Sequence, residues 1–113
     1  MTDANLVMSD QDFAEAKTLF GEGSFGDKVV LVSGGGSGIG KATAWLMARL
    51  GAKVIIIGRT EAKLAACCDA ITAAGYSAEY HVQDIRDYDG IEAMFTGVFK
   101  KYGHLDVLIN NAG

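Results

Sequence analysis

Five glycines fall within seven consecutive positions of this chain, Gly34, Gly35, Gly36, Gly38 and Gly40, in the stretch LVSGGGSGIG from Leu31 to Gly40. Glycine is the costliest residue to order. Such crowding therefore marks either a flexible linker or a backbone built to turn tightly and approach something closely. The flanks favour the second reading. An apolar, β-branched run, KVVLV (Lys28–Val32), precedes the glycines, and Ile39, Ala42, Thr43, Leu46, Met47 and Leu50 follow at helical spacing. A glycine turn between a strand and a helix exposes backbone N–H groups beside the positive end of the helix dipole, and a pyrophosphate is the natural ligand of such a cradle. The spacing is Gly34-x-x-x-Gly38-x-Gly40 rather than the commoner G-x-G-x-x-G.

The end of the next strand decides which nucleotide fits. In dinucleotide folds an acidic residue about twenty positions past the glycines takes the ribose 2′-hydroxyl. Here the stretch reads IIIGRTEAK, with Gly58 and Arg59 at that place and no carboxylate beside them. A guanidinium binds a 2′-phosphate through charge-assisted, often bidentate hydrogen bonds, and Lys63 lies about a turn further on. NADP(H) is therefore expected in preference to NAD(H), which stays possible, as does an Arg59 that is only a solvated strand end.

These residues need elements to hold them. Lys53–Ile57 (KVIII) reads as a second strand, apolar throughout as when both faces of a sheet are covered. A helix is expected from about Thr60 to Ala74, with Leu64, Cys67, Cys68 and Ile71 inward. Ala78–Ile85 (AEYHVQDI) reads as a third strand. Asp89 and Glu92 are spaced as a capping box for a third helix carrying Ile91, Met94, Phe95, Val98 and Tyr102 on one face. Leu105–Asn110 (LDVLIN) reads as a fourth strand. Gly51, Gly75 and Gly103 sit where glycines end helices. The order β-α-β-α-β-α-β implies parallel strands with right-handed crossovers: an α/β chain forming one half of a doubly wound, Rossmann-type nucleotide-binding sheet. Residues 1–27 form an arm and linker, and 28–113 the dinucleotide-binding half-domain.

At 113 residues the chain is one domain at most; half its residues are apolar, 21% are charged, and the net charge is −4. The scattered basic residues give no nucleic-acid footprint. No apolar run approaches the roughly 20 residues of a membrane span, and the acidic N-terminus has no basic secretory n-region. Cys67 and Cys68 are adjacent with no third cysteine to pair with, which implies a reducing, cytoplasmic setting. Core packing explains them better than metal binding, since no partner ligands stand at metal spacing. His81 reads as a surface or edge histidine, and His104 as a helix-end residue suited to the dipole. In the arm, Ser9-x-x-Asp12 resembles a cap, and Phe13, Ala16, Lys17 and Phe20 form a short amphipathic turn expected to pack on the domain or on a neighbouring subunit.

Three segments together resemble the short-chain dehydrogenase/reductase family. SGGGSGIG (Ser33–Gly40) is similar to its T-G-x-x-x-G-I-G motif, Asp84-Ile85 to its Asp-Val pair at the end of the third strand, and NNAG (Asn110–Gly113) to its fourth-strand motif. The resemblance implies that Gly34, Gly38 and Gly40 line a pyrophosphate site, with Gly35, Gly36, Ser37 and Ile39 completing the loop. It implies that Asp84 hydrogen-bonds the adenine amino group, that Ile85 packs on the ring, and that Asn111, Ala112 and Gly113 border the adenosine ribose. Asn110 would steady the strand against the glycine loop. Without the family, Asp84 could be a loop or cap carboxylate, and Asn110 and Asn111 a polar strand end. Ser33 replaces the family's usual threonine but keeps the hydroxyl. Ser37 stands where many NADP-preferring members carry a basic residue, which leaves the NADP(H) preference to Arg59. The arm and triple glycine also resemble the 2,4-dienoyl-CoA reductase-like branch.

The family's catalytic tyrosine is followed four residues later by a lysine. Here Tyr76, Tyr80, Tyr88 and Tyr102 are followed at that spacing by Tyr80, Asp84, Glu92 and Asp106. No catalytic residue is therefore assigned within these 113 residues. The chain reads as the cofactor-binding portion of an NADP(H)-dependent oxidoreductase. Such an enzyme passes hydride to or from a small carbonyl, alcohol or enoyl substrate, and the whole protein is expected to be a homo-oligomer. The alternative is a non-catalytic nucleotide-binding or assembly fragment that pairs through its open fourth strand.

Overall fold

The computed structural model describes residues 9–10, 24–36 and 38–111. Asp12, the amphipathic stretch at Phe13, Ala16, Lys17 and Phe20, and the site candidates Ser37, Ala112 and Gly113 lie outside them. The elements follow in the order β1 (Val29–Ser33), α1 (Gly38–Arg49), β2 (Lys53–Gly58), α2 (Glu61–Ala73), β3 (Ala78–Val82), α3 (Tyr88–Tyr102) and β4 (Val107–Asn110). The four strands form one parallel sheet in the order β3-β2-β1-β4.

Alternation along the two central strands sorts the core into two layers. Val30, Val32, Val54 and Ile56 face α1 and α2, where Ala44, Trp45, Ala48, Leu64, Cys67, Cys68 and Ile71 meet them. Val29, Leu31, Ile55 and Ile57 face the opposite way and pack on Met94 and Val98 of α3. With both faces covered, β1 and β2 can be apolar at every core position. The chain runs outward from β1 to β3 with its helices on one face, then returns to β4 with α3 on the other. That switch keeps every crossover in one hand as the direction of travel reverses.

The structure redraws several boundaries. β3 stops at Val82 rather than Ile85. Its partner β2 ends at Gly58, paired with Val82, and the Gln83 amide donates the final 2.8 Å bond to the Gly58 carbonyl. Past that rung the sheet offers no partner, and Asp84 turns the chain. The capping box at Asp89 and Glu92 does not form; Asp87 caps α3 instead, its carboxylate accepting from the Gly90 amide at 3.2 Å. A Cβ on Gly90 would come within 2.5 Å of that carboxylate, so glycine at the third helical position lets the cap fold over. Gly103, at φ 82°, ends α3 in the left-handed region with its amide on the Phe99 carbonyl.

β4 begins at Val107, not Leu105, because Asp106 ties the approach to β1: its carboxylate accepts from the Val29 amide at 2.8 Å. His104 joins this clamp, with its ring 3.1 Å from the Asp106 carboxylate and 3.0 Å from the Asp27 carbonyl. It is a tie between the two strand approaches rather than a partner of the helix dipole. Phe25, expected in a linker, packs on the first core layer, and its amide bonds to the Leu50 carbonyl at 2.6 Å. Nearer the arm, Asp10 accepts from the Trp45 indole at 3.1 Å and pairs with Lys41. Among the described residues β4 has a strand neighbour on one side alone, and its Leu108 is 57% exposed.

Candidate dinucleotide site

A groove of about 550 Å³ opens where the carboxyl ends of β1, β2 and β3 meet. This is within the range of small-molecule sites and at the place where open α/β sheets bind ligands. One wall is the glycine turn. Gly34 leaves β1 at φ 74°, and its amide is fastened to the Ile57 carbonyl of β2 at 2.9 Å. A Cβ on Gly40 would lie 1.9 Å from the Gly34 carbonyl oxygen, so the first turn of α1 rests on the loop backbone with no room for any side chain. Gly35 is pressed on Ile56 in the same way, with 2.5 Å between its Cβ position and the isoleucine Cγ2. Gly38 has open space where a side chain would go, and its φ of 59° is what requires glycine there. The first turn of α1 holds no acidic residue to compete for its free N–H groups. Ile39, 76% exposed, stands beside them.

The other wall carries charge. Arg59 and Thr60 follow β2, Lys63 comes from the first turn of α2, and Gln83, Asp84, Ile85 and Arg86 follow β3; all line the groove. Asp84 is held closely. Its Oδ1 accepts from the Arg86 backbone amide at 2.9 Å and from Arg86 Nε at 3.1 Å, while its Oδ2 accepts from Nη2 at 2.8 Å. These bonds, with a smaller contribution from the Arg59 charge, hold the Asp84 carboxyl well below the usual carboxylate range. The same pairing raises the Arg86 guanidinium still further. Asp84 is thus an acceptor at any working pH.

A serine joins the turn to β4. Ser33 Oγ donates to Asn110 Oδ1 at 2.7 Å and accepts from the Asn111 amide at 3.1 Å. Asn110 therefore steadies the strand beside the glycine turn, and the hydroxyl kept at position 33 makes the link.

Of the residues expected from the sequence, the structure gathers Gly34, Gly36, Arg59, Asp84 and Ile85 around one groove, with Gly35 beneath and Gly38, Ile39 and Gly40 at the adjoining helix end. Asn111 is placed at the end of β4 by its bonds to Ser33. Arg86 is the residue that sequence reading missed. The signal was present in Asp84-x-Arg86, a carboxylate and a guanidinium two positions apart in a turn.

The short chain dehydrogenase family model matches residues 28–113. The chain belongs to that family. This short-chain dehydrogenase chain is 43% identical over 91 residues to a 3beta-hydroxysteroid dehydrogenase of Mediterraneibacter gnavus, covering 80% of this chain and 33% of that protein. It is 42% identical over 94 residues to a probable 2,4-dienoyl-CoA reductase of Caenorhabditis elegans, covering 80% of this chain and 30% of the relative. Among solved structures, a metagenomic short-chain oxidoreductase in complex with NADP superposes with a TM-score of 0.77 at 43% identity, over 80% of this chain and 41% of that one. The chain thus spans about a third of the length of the curated relatives it matches. Relatives named for steroid and for dienoyl-CoA chemistry match to the same degree, so similarity singles out neither branch.

Proposed function

We propose that this short-chain dehydrogenase chain forms the adenosine and pyrophosphate half of an NADP(H) site, serving a reductase or dehydrogenase that acts on a small carbonyl, alcohol or enoyl substrate. The observation that carries the reading is the cationic end of β2: Arg59 and Lys63 line the groove beside the glycine turn, and the residues after β2 present no carboxylate to it. A 2′-phosphate there meets a guanidinium and an ammonium, whereas the acidic residue that would take a free 2′-hydroxyl is missing. The donor set fits the rest of the cofactor as well. The amides of Gly35 and Gly36 and the first turn of α1 suit a pyrophosphate, Asp84 suits an amino donor such as that of adenine, Ile85 offers an apolar surface, and Asn111 follows β4 where the ribose would lie.

When bound, the nicotinamide supplies the hydride chemistry. The residues of this chain bind and orient the other end of the cofactor, and none of them is assigned a catalytic role. The free, buried cysteines suit a cytoplasmic protein, and the whole protein is read as a homo-oligomer. Among the described residues no helix is long and apolar enough to cross a membrane. Calorimetric titration of the protein with NADPH and NADH tests the reading. NADPH is expected to bind at least tenfold more tightly, and equal affinity would remove the role given to Arg59. A second reading, a non-catalytic nucleotide-binding or assembly fragment, draws on the one-sided β4 with its exposed Leu108. It predicts oligomers whose formation is indifferent to dinucleotide.

A further inference from the structure

Asp84 and Arg86 form a unit whose geometry the NADP(H) reading does not need and does not explain. An ionised carboxylate offers about four acceptor positions. Arg86 takes both on Oδ1, through its backbone amide and Nε, and one on Oδ2, through Nη2. A turn closed by the Asp87 amide on the Asp84 carbonyl at 3.0 Å fixes the backbone under this fork. What remains is one lone pair on Oδ2, held in a fixed direction at the rim of the groove. Two of the five guanidinium N–H donors go to the carboxylate, and the side chain is 76% exposed, so it adds nothing to the core.

We propose that Arg86 is a positioning residue for base recognition: it clamps Asp84 so that a single acceptor faces the ligand and the site selects a 6-amino purine over a 6-oxo purine. The inference rests on the reading that the adenosine end of the cofactor lies in this groove. Adenine donates from its 6-amino group and satisfies the remaining lone pair. Hypoxanthine presents a carbonyl oxygen at the same position, and acceptor then faces acceptor. Rejection of a ligand that leaves a site's polar group unpaired is much stronger than rejection by shape alone. A carboxylate free to rotate would soften that penalty by turning toward water, and the fork on both oxygens prevents it. Lysine cannot replace the clamp, because one ammonium does not span two carboxylate oxygens as a planar fork does.

The test is the ratio of dissociation constants for NADPH and its 6-oxo analogue, nicotinamide hypoxanthine dinucleotide phosphate (reduced), measured by fluorescence titration on the unaltered protein and on R86A, R86K and D84N. The unaltered protein is expected to favour NADPH by roughly tenfold or more. In R86A and R86K the ratio falls to within about threefold, with the melting temperature unchanged because the side chain is exposed. D84N, whose amide can donate, shifts preference toward the 6-oxo compound. The proposal is overturned if R86A weakens both dinucleotides equally, which would make Arg86 a general phosphate partner, or if its ratio stays at that of the unaltered protein. Loss of the cofactor reading looks different: neither dinucleotide binds the unaltered protein, and the clamp then has no base to orient.

Discussion

Arg59, Lys63 and Arg86 bring three cations to a groove whose lining, among the described residues, has Asp84 as its carboxylate. Their roles differ because their partners differ: Arg86 is engaged by Asp84, while Arg59 and Lys63 stand at the mouth of α2. Replacing Arg59 with alanine should therefore weaken NADPH by about tenfold to a hundredfold, the scale of a hydrogen-bonded charge pair, and leave NADH within about twofold. Parallel titrations check it, and an equal loss for both would move Arg59 away from the 2′ position. At Gly40 the issue is steric. A methyl group placed 1.9 Å from the Gly34 oxygen forces the helix off the turn, so G40A should cost about 2 kcal/mol of stability and abolish dinucleotide binding, as denaturant melts and titration would record. Burial pushes the thiols of Cys67 and Cys68 up to about 11 and about 12. Both should resist iodoacetamide at pH 8 in the folded protein and react once it is denatured; fast native labelling would contradict their place in the core.

The elements were legible to different depths. The apolar runs of β1 and β2 and the inward stripe of α2 announced themselves, because burial on both faces leaves one solution for such residues. Boundaries at β3 and α3 did not, since they are set by a partner. β3 ends where Gly58 runs out of rungs, and α3 is capped by Asp87 because Gly90 leaves space for its carboxylate, a fact about a missing side chain. Asp87→Ala should accordingly lower stability by about 1 kcal/mol, the usual worth of such a cap, whereas Asp89→Ala should sit within about half of that; chemical denaturation compares the two. Arg86 escaped sequence reading for a related reason. Its partner is two positions away in a turn that the alternation of AEYHVQDI had assigned to a strand.

For the molecule as a whole, α3 is fastened to the outer strand by a small polar cluster. Glu79 of β3 accepts from the Tyr102 hydroxyl and from Lys101 at 3.0 Å, and pairs with His81 at 3.2 Å. Burial alone would raise the Glu79 carboxyl, but the bonds from Tyr102 and Lys101 prevail and lower it from the usual 4.5. A group lowered on folding stabilises above its unfolded value, and the contribution is lost as pH falls through the folded one. Stability should thus decline below about pH 4.5, and E79Q should flatten that part of the profile by lowering stability near neutrality while leaving the acid end nearly unchanged; melting temperatures between pH 3 and 7 decide. The gathering of the candidate residues was largely readable, since glycines, Arg59 and the Asp84-Ile85 pair each sit at a strand end that any parallel sheet would bring together. What no local pattern held was how firmly the fourth strand is anchored. The bonds that tie β4 to β1 join residues 76 to 78 positions apart, whereas β1 meets β2 across a single short crossover. Closing the longer loop costs more chain entropy before any contact rewards it. As the polypeptide leaves the ribosome, β1, β2 and β3 can assemble while β4 is still unmade, so of these four strands the one synthesised latest is also the latest to dock. The amides of β4 should then be the first in the sheet to exchange with deuterium, and the nucleotide cradle would be finished only when Asn111 reaches Ser33.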